Sequence, residues 1–282
     1  MINLPVCDHV HASYEDLVLY LKHKNEHPGH LAAKFLDLKE MLENCIVCWS
    51  EWNRVRWDAA ENTSDLLELR EYLGSSFLEY FDSSWANALE WYRLNPQTPA
   101  QISTFYRENR NYMYNLTIWH ASGDRYDLQR EFIAMREKYG VRSVIDYGCG
   151  IGTDTLCMLK QGLSVRPIDF DCPSTEYLNW RLRRRGIFLE TIDTESIEEY
   201  PQADMFLAVD VLEHMANPLE VLDRLSDQTY VFAHISQFGK KSGQRHPFHL
   251  PFSENELAEH LTVKGFTEQE NGWLSVWVRD KK

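Results

Sequence analysis

The chain predicts an α/β fold, a doubly wound parallel sheet behind an all-α region. Three observations carry that expectation. From about residue 126, short β-type runs alternate with helical ones. The first of those runs, "SVIDY", leads straight into a glycine-rich turn, "GCGIG". Before residue 126, apolar residues recur at helical spacing throughout.

The helical region comes first. In "FLEYFDSSWANALEWY", Phe77, Tyr80, Phe81, Trp85, Ala88, Leu89 and Tyr92 fall at steps of three and four, one helix face. "NPQTPAQ" breaks that pattern. Thr98 then has the character of an N-cap, with Pro99 at the first helical position and Gln101 closing a capping box. The helix that follows carries Ile102, Phe105, Tyr106, Asn109, Met113 and Leu116 on one side, and "ASGDRYD" ends it. The expected division is a helical domain over 1–125 and an α/β domain over 126–282. Charge marks no boundary, because the acidic excess is spread over both parts.

In the α/β part, "LQREFIAMREKYG" reads as a helix with Gly140 as its C-cap. The β-type runs are "SVIDY", "SVRPID", "FLETID", "MFLAVD" and "YVFAHIS", then "FTEQEN" and "WLSVWVRD". Helical patterns fill the gaps up to "YVFAHIS", as parallel strands require. The last pair flanks Asn271-Gly272, a turn signal for an antiparallel hairpin.

Composition narrows the function classes. Of the 282 residues, 44% are hydrophobic and 26% charged, enough apolar residue for a packed core. The net charge of −14 repels phosphate backbones and anionic lipid, so neither nucleic acid nor membrane is an expected partner. No apolar run approaches the roughly 18–20 residues that span a bilayer, and the first residues lack a signal-peptide pattern. The six cysteines are too few for a disulfide framework. A cytoplasmic protein with reduced thiols and a small-molecule partner is expected.

The turn "DYGCGIGTD" is the most informative stretch. A dinucleotide fingerprint requires G-x-G-x-x-G, but here Thr153 stands where its third glycine belongs. Asp146, two residues before Gly148, repels an anion and favours a cation. A merely tight turn needs one glycine, whereas this loop has Gly148, Gly150 and Gly152. Asp169 ends the second strand, where a carboxylate accepts hydrogen bonds from ribose hydroxyls. Asp193 ends the third, where an adenine edge lies. The implied ligand has a ribose, a base and a positive or zwitterionic end.

With "DYGCGIG", "PIDFD" and "DVLEHM" in this order, the chain resembles the class I S-adenosylmethionine-dependent methyltransferases over roughly residues 126–282. The resemblance implies a Rossmann-like seven-stranded sheet with a reversed C-terminal hairpin, and S-adenosylmethionine as cofactor. Gly148, Gly150 and Gly152 would then pass the methionine part, with Asp146 near the amino-acid moiety. Asp169 would bind the ribose, Asp193 would approach the adenine amine, and Asp210 would close the pocket. Glu213 and His214 would face the transfer site, with His214 as candidate base. His246 and His249 join it as candidates, because "QRHPFHLPF" follows the fifth strand and hangs over the same end of the sheet. N-terminal helices often cap the pocket in this family, which makes Tyr106, Tyr112 and Trp119 candidate acceptor contacts.

The expected activity is methyl transfer to a small molecule, at oxygen, nitrogen or carbon. The alternatives are a relative using the cofactor for another transfer or a cyclisation, and a non-catalytic binder. Other features read as structural. Cys45-x-x-Cys48 lies inside a helical pattern and no second cysteine pair stands at zinc spacing, so no metal site is expected there or at Cys7, His9 and His11. "RLRRRG" reads as a solvated helix face. Lys240, Lys241 and Arg245 lie in a loop that serves equally as a lid or as plain surface.

Overall fold

The computed structural model describes residues 11–26, 45–125, 127–236, 247–269 and 273–281. These residues fall into two compact units. The first holds the described residues up to Asn95, those of Arg110–Asp127, and Pro247. The second holds Pro96–Asn109 and the described residues of Leu128–Lys241 and Phe248–Lys282. The helix Pro99–Glu108 therefore packs with the second unit, although it lies inside the 1–125 segment.

In the first unit the described elements are helical: Tyr14–Glu26, Ile46–Ala60, Ser64–Leu73, Ser83–Leu94 and Asn111–Ala121. Leu17, Tyr20, Trp49, Trp52 and Val55 form one buried cluster. Cys45 and Cys48 lie in that cluster, 2% and 0% exposed, and the Cys45 sulfur caps the helix by accepting from Cys48 N at 3.4 Å. Two helix expectations need correction. The segment from Phe77 does not become helical until Ser83, because Asp82 accepts from Trp85 N at 3.0 Å and stops the helix there. Its buried face is Ser84, Asn87, Ala88 and Trp91, while Leu89 and Tyr92 are exposed. The long helix after Thr98 is two helices, because Asn109 leaves helical geometry at φ −81°, ψ 104°.

The capping box at Thr98 forms as its spacing predicts. The Thr98 hydroxyl accepts from Gln101 N, and the Gln101 side chain accepts from Thr98 N at 3.2 Å. Gly140 likewise ends Gln129–Tyr139 in the left-handed region, φ 69°.

Seven strands form one sheet in the order β3-β2-β1-β4-β5-β7-β6. They are β1 Ser143–Tyr147, β2 Ser164–Asp169, β3 Ile192–Asp193, β4 Met205–Val209, β5 Val231–Ile235, β6 Thr267–Gln269 and β7 Ser275–Val278. The first five run parallel, and β7 pairs antiparallel with β5 and β6. The hairpin turn at Asn271-Gly272 lies outside the described residues. Ile145, Ile168, Phe206 and Phe232 are fully buried in the main core with Leu257, Leu261 and Phe266. The chain leaves β1 toward β2 on one side and later returns to β4 on the other, so the carboxyl ends of β1 and β4 flank the crevice where such sheets bind ligands.

Candidate functional site

The loop after β1 is shaped by its glycines. Gly148, Gly150 and Gly152 have φ of 71°, 51° and 76°, a region side chains disfavour. A Cβ on Gly148 would stand 2.5 Å from Val211 Cγ2, and one on Gly152 would stand 2.0 Å from Leu178 Cδ1. Hydrogen bonds tie the loop to the end of β2. Gly148 N donates to Ile168 O at 2.8 Å, and Gly150 N donates to an Asp169 carboxylate oxygen at 2.7 Å. Phe170 N donates to the other Asp169 oxygen at 2.7 Å. Below the loop, Asp146 is 3% exposed and accepts a hydrogen bond from the Thr155 hydroxyl.

One feature of "RLRRRG" runs against expectation. Arg183, Arg184 and Arg185 are exposed, but Arg181 is 2% exposed and donates to Ile151 O at 2.9 Å. Its guanidinium satisfies a loop carbonyl that would otherwise be buried without water.

The register of β2 and β3 sets Asp169 beside Asp193. Desolvation pushes the Asp169 carboxyl up to about 6, against the Gly150 and Phe170 N–H groups and the charge of Arg107. Arg107, on the helix Pro99–Glu108, donates to Asp193 at 2.9 Å and meets Glu195 at 3.0 Å. Burial works to raise the Asp193 carboxyl, but the Arg107 bond and charge outweigh it and hold the group below the usual carboxylate range. The same guanidinium lies 4.7 Å over the Phe170 ring. Tyr106, one residue earlier, stacks on Phe170 at 6.5 Å between ring centroids and meets the His214 ring edge-on at 5.7 Å.

Beyond β4 the chain turns sharply. Asp210 has φ 51° and donates its N–H to Ile235 O at 2.8 Å. The turn Leu212–His214 follows. Glu213 is 1% exposed, and its backbone carbonyl accepts from Leu250 N at 2.7 Å. His214 Nδ1 lies 3.2 Å from Phe248 O, a contact only an N–H can make with a carbonyl, so Nε2 carries the lone pair. Desolvation lowers the imidazolium of His214 to about 4, so the ring is neutral at physiological pH. The His249 ring is 4.8 Å from that of His214.

The fold thus brings together Gly148, Gly150, Gly152 and Asp169, then Asp193 with Arg107, and Glu213 with His214 and His249. Tyr112 and Trp119 belong to the first unit, where Arg125 lies 5.7 Å over the Trp119 ring. His246, Lys240, Lys241 and Arg245 lie outside the described residues. Sequence reasoning passed over Arg107 and Phe170. Phe170 had a signal, since it directly follows the ribose-type acid in "PIDFD". Arg107 had none, because its partner is distant in sequence.

The lining fits a nucleoside with a cationic amino-acid end. The loop runs in left-handed backbone that glycine favours, a half-buried carboxylate stands at the end of β2, and no phosphate-type triple-glycine helix start is present at Thr153. Among known proteins, a family model described as a methyltransferase domain matches residues 118–267, just over half of the chain. No curated protein sequence matches it. Solved structures similar in fold include the mitomycin 7-O-methyltransferase MmcR, 15% identical over 79% of this chain and 74% of that one, TM-score 0.48. Magnesium protoporphyrin IX methyltransferase from Synechocystis PCC 6803, solved with bound SAM, is 14% identical over 77% of this chain and 98% of its own, TM-score 0.43. The PH0226 protein from Pyrococcus horikoshii OT3 is 15% identical over 54% and 89%, TM-score 0.42.

Proposed function

We propose that this chain, which belongs to the class I S-adenosylmethionine-dependent methyltransferase family, methylates a small-molecule acceptor held under the helix Pro99–Glu108. The observation that carries this reading is the position of Tyr106. Its ring touches Phe170, beside the ribose-type acid, and His214, beyond β4. One short helix therefore covers both the nucleoside side and the transfer side of the crevice, which leaves room for a small acceptor rather than a polymer.

Gly148, Gly150 and Gly152 would hold the methionine part, with Asp146 and Asp210 near it. Asp169 would accept from the ribose hydroxyls and Asp193 would stand at the adenine amine. When bound, the cofactor supplies an electrophilic methyl group on a sulfonium. The residues of the chain do the rest. Tyr106 and Phe170 exclude water from the crevice. His214 and His249 stand where an acceptor proton must leave, and neutral His214 presents Nε2 as an acceptor for it. Alignment of the acceptor atom with the methyl group is the main source of rate in such a displacement.

The test uses S-adenosylhomocysteine and labelled S-adenosylmethionine. S-adenosylhomocysteine is expected to raise the melting temperature. Label incubated with cell extract is expected in the small-molecule fraction and not in protein or nucleic acid. Label confined to macromolecules would overturn the acceptor class.

A further inference from the structure

Glu213, His214 and His249 present one carboxylate oxygen and two ring nitrogens that all lie within 4.8 Å of one another. Ligands around a single ion at about 2.0–2.2 Å stand roughly 3–4.4 Å apart, so a small rotation of one side chain closes this set on a common centre. We propose that these three residues bind a divalent first-row transition-metal cation, and that the cation's open positions take the hydroxyl oxygen of the methyl acceptor.

Two further observations support the site. His214 gives its Nδ1–H to Phe248 O at 3.2 Å, which orients the ring and leaves Nε2 as the donor to a metal. Metal-binding imidazoles are commonly fixed in this way by a backbone carbonyl. Second, the two halves of the set are joined by backbone. Leu250 N donates to Glu213 O at 2.7 Å, which ties the segment carrying His249 to the turn carrying Glu213 and His214.

The ligand chemistry narrows the ion. Two imidazoles and one carboxylate suit zinc, manganese or iron, whereas magnesium and calcium favour all-oxygen shells. Three protein ligands leave positions for water or substrate. A hydroxyl bound there ionises more readily, as metal-bound water does, and its proton passes to water or buffer. The inference rests on the methyltransferase reading and sharpens it, since it selects an oxygen acceptor and makes His214 a ligand in place of a base.

The experiment uses the full chain without a polyhistidine tag, stripped with chelator and then exposed separately to Zn²⁺, Mn²⁺, Co²⁺ and Mg²⁺. About one ion per chain is expected for the transition metals by elemental mass spectrometry, with a rise in melting temperature and a visible Co²⁺ absorption band. Mg²⁺ is expected to bind much more weakly. His249→Ala, at a half-buried position, should lose most of the bound metal and the Co²⁺ band yet keep the S-adenosylhomocysteine thermal shift; Glu213→Gln should do the same. Chelation should stop labelled-methyl transfer, and Zn²⁺ or Mn²⁺ should restore it. Substoichiometric binding, or binding unchanged in His249→Ala, would overturn the metal site. Methyl transfer that continues without metal would leave the enzyme reading standing, while bound metal with no methyl transfer to any small molecule would remove that reading alone.

Discussion

The ends of β1 and β4 lie side by side in the sheet and are built in opposite ways. At β1 the site is backbone. Three glycines hold left-handed geometry; the N–H groups of Gly148 and Gly150 meet the end of β2, and that of Gly152 closes the loop on Cys149 O. At β4 the site is side chain. A buried carboxylate and two imidazoles converge from two segments distant in sequence. A Cβ added at Gly148 or Gly152 would meet Val211 or Leu178, whereas the β4 half presents polar side-chain atoms. A cofactor shared across a family suits the first kind of site, and an acceptor particular to one enzyme suits the second.

Substitution at the loop tests the backbone half and should have the largest effect. Gly152→Ala combines positive-φ strain with a clash on Leu178 and should cost about 2–5 kcal/mol. Gly186→Ala, with φ 68° but nothing within 4 Å of its Cβ, should cost about 1 kcal/mol. Chemical denaturation of both measures the share due to packing, and equal losses would show that the loop is not packed as tightly as its geometry says.

Next in size is the side-chain half. His214→Ala should lower turnover about 100-fold or more while the S-adenosylhomocysteine thermal shift survives. Loss of both would mean that the two halves are one unit.

Asp169, held to the β1 loop by Gly150 N, carries a pH signature. Its carboxyl is raised from 3.8 to about 6. In the ligand-free chain this group therefore adds stability below its unfolded value, and the contribution is lost as pH rises through about 6. Ribose hydroxyls favour the ion, so nucleoside binding has the opposite sign. Affinity for S-adenosylhomocysteine should fall about tenfold per pH unit below 6, and Asp169→Asn should bind weakly with a flat profile. Titration calorimetry from pH 5 to pH 8 reads both. A smaller effect is expected at Arg107, whose ion pair with Asp193 is partly exposed. Arg107→Ala should weaken cofactor binding by about 1 kcal/mol.

The two halves also differed in how far sequence revealed them. "DYGCGIG" was readable because left-handed backbone demands glycine, so geometry leaves its mark at fixed positions. The parallel sheet was implied by alternation of strand and helix, and Asp169 followed from its place at a strand end. In the β4 half, Glu213, His214 and His249 were read as candidates at one end of the sheet, without the contact that joins their two segments. Nothing in the spacing of Glu213 and His249 announces that Leu250 N reaches Glu213 O. Arg181 was misread for a related reason. It sits among three exposed arginines, and only the fold brings Ile151 O within 2.9 Å of it. Segment 77–82 was misread because an apolar rhythm continued across Asp82, whose side chain is a cap.

Asp210 has a consequence for anyone selecting variants of this protein. It carries a side chain at φ 51°, where glycine rests without strain. Asp210→Gly is therefore an easy gain for a screen that rewards heat resistance, worth about 1 kcal/mol. The same variant would lose a carboxylate from the mouth of the crevice. On the proposed reading Asp210 lies near the cofactor, so a campaign scored on melting temperature alone would enrich protein that binds S-adenosylhomocysteine weakly, and pairing the screen with that binding would expose it.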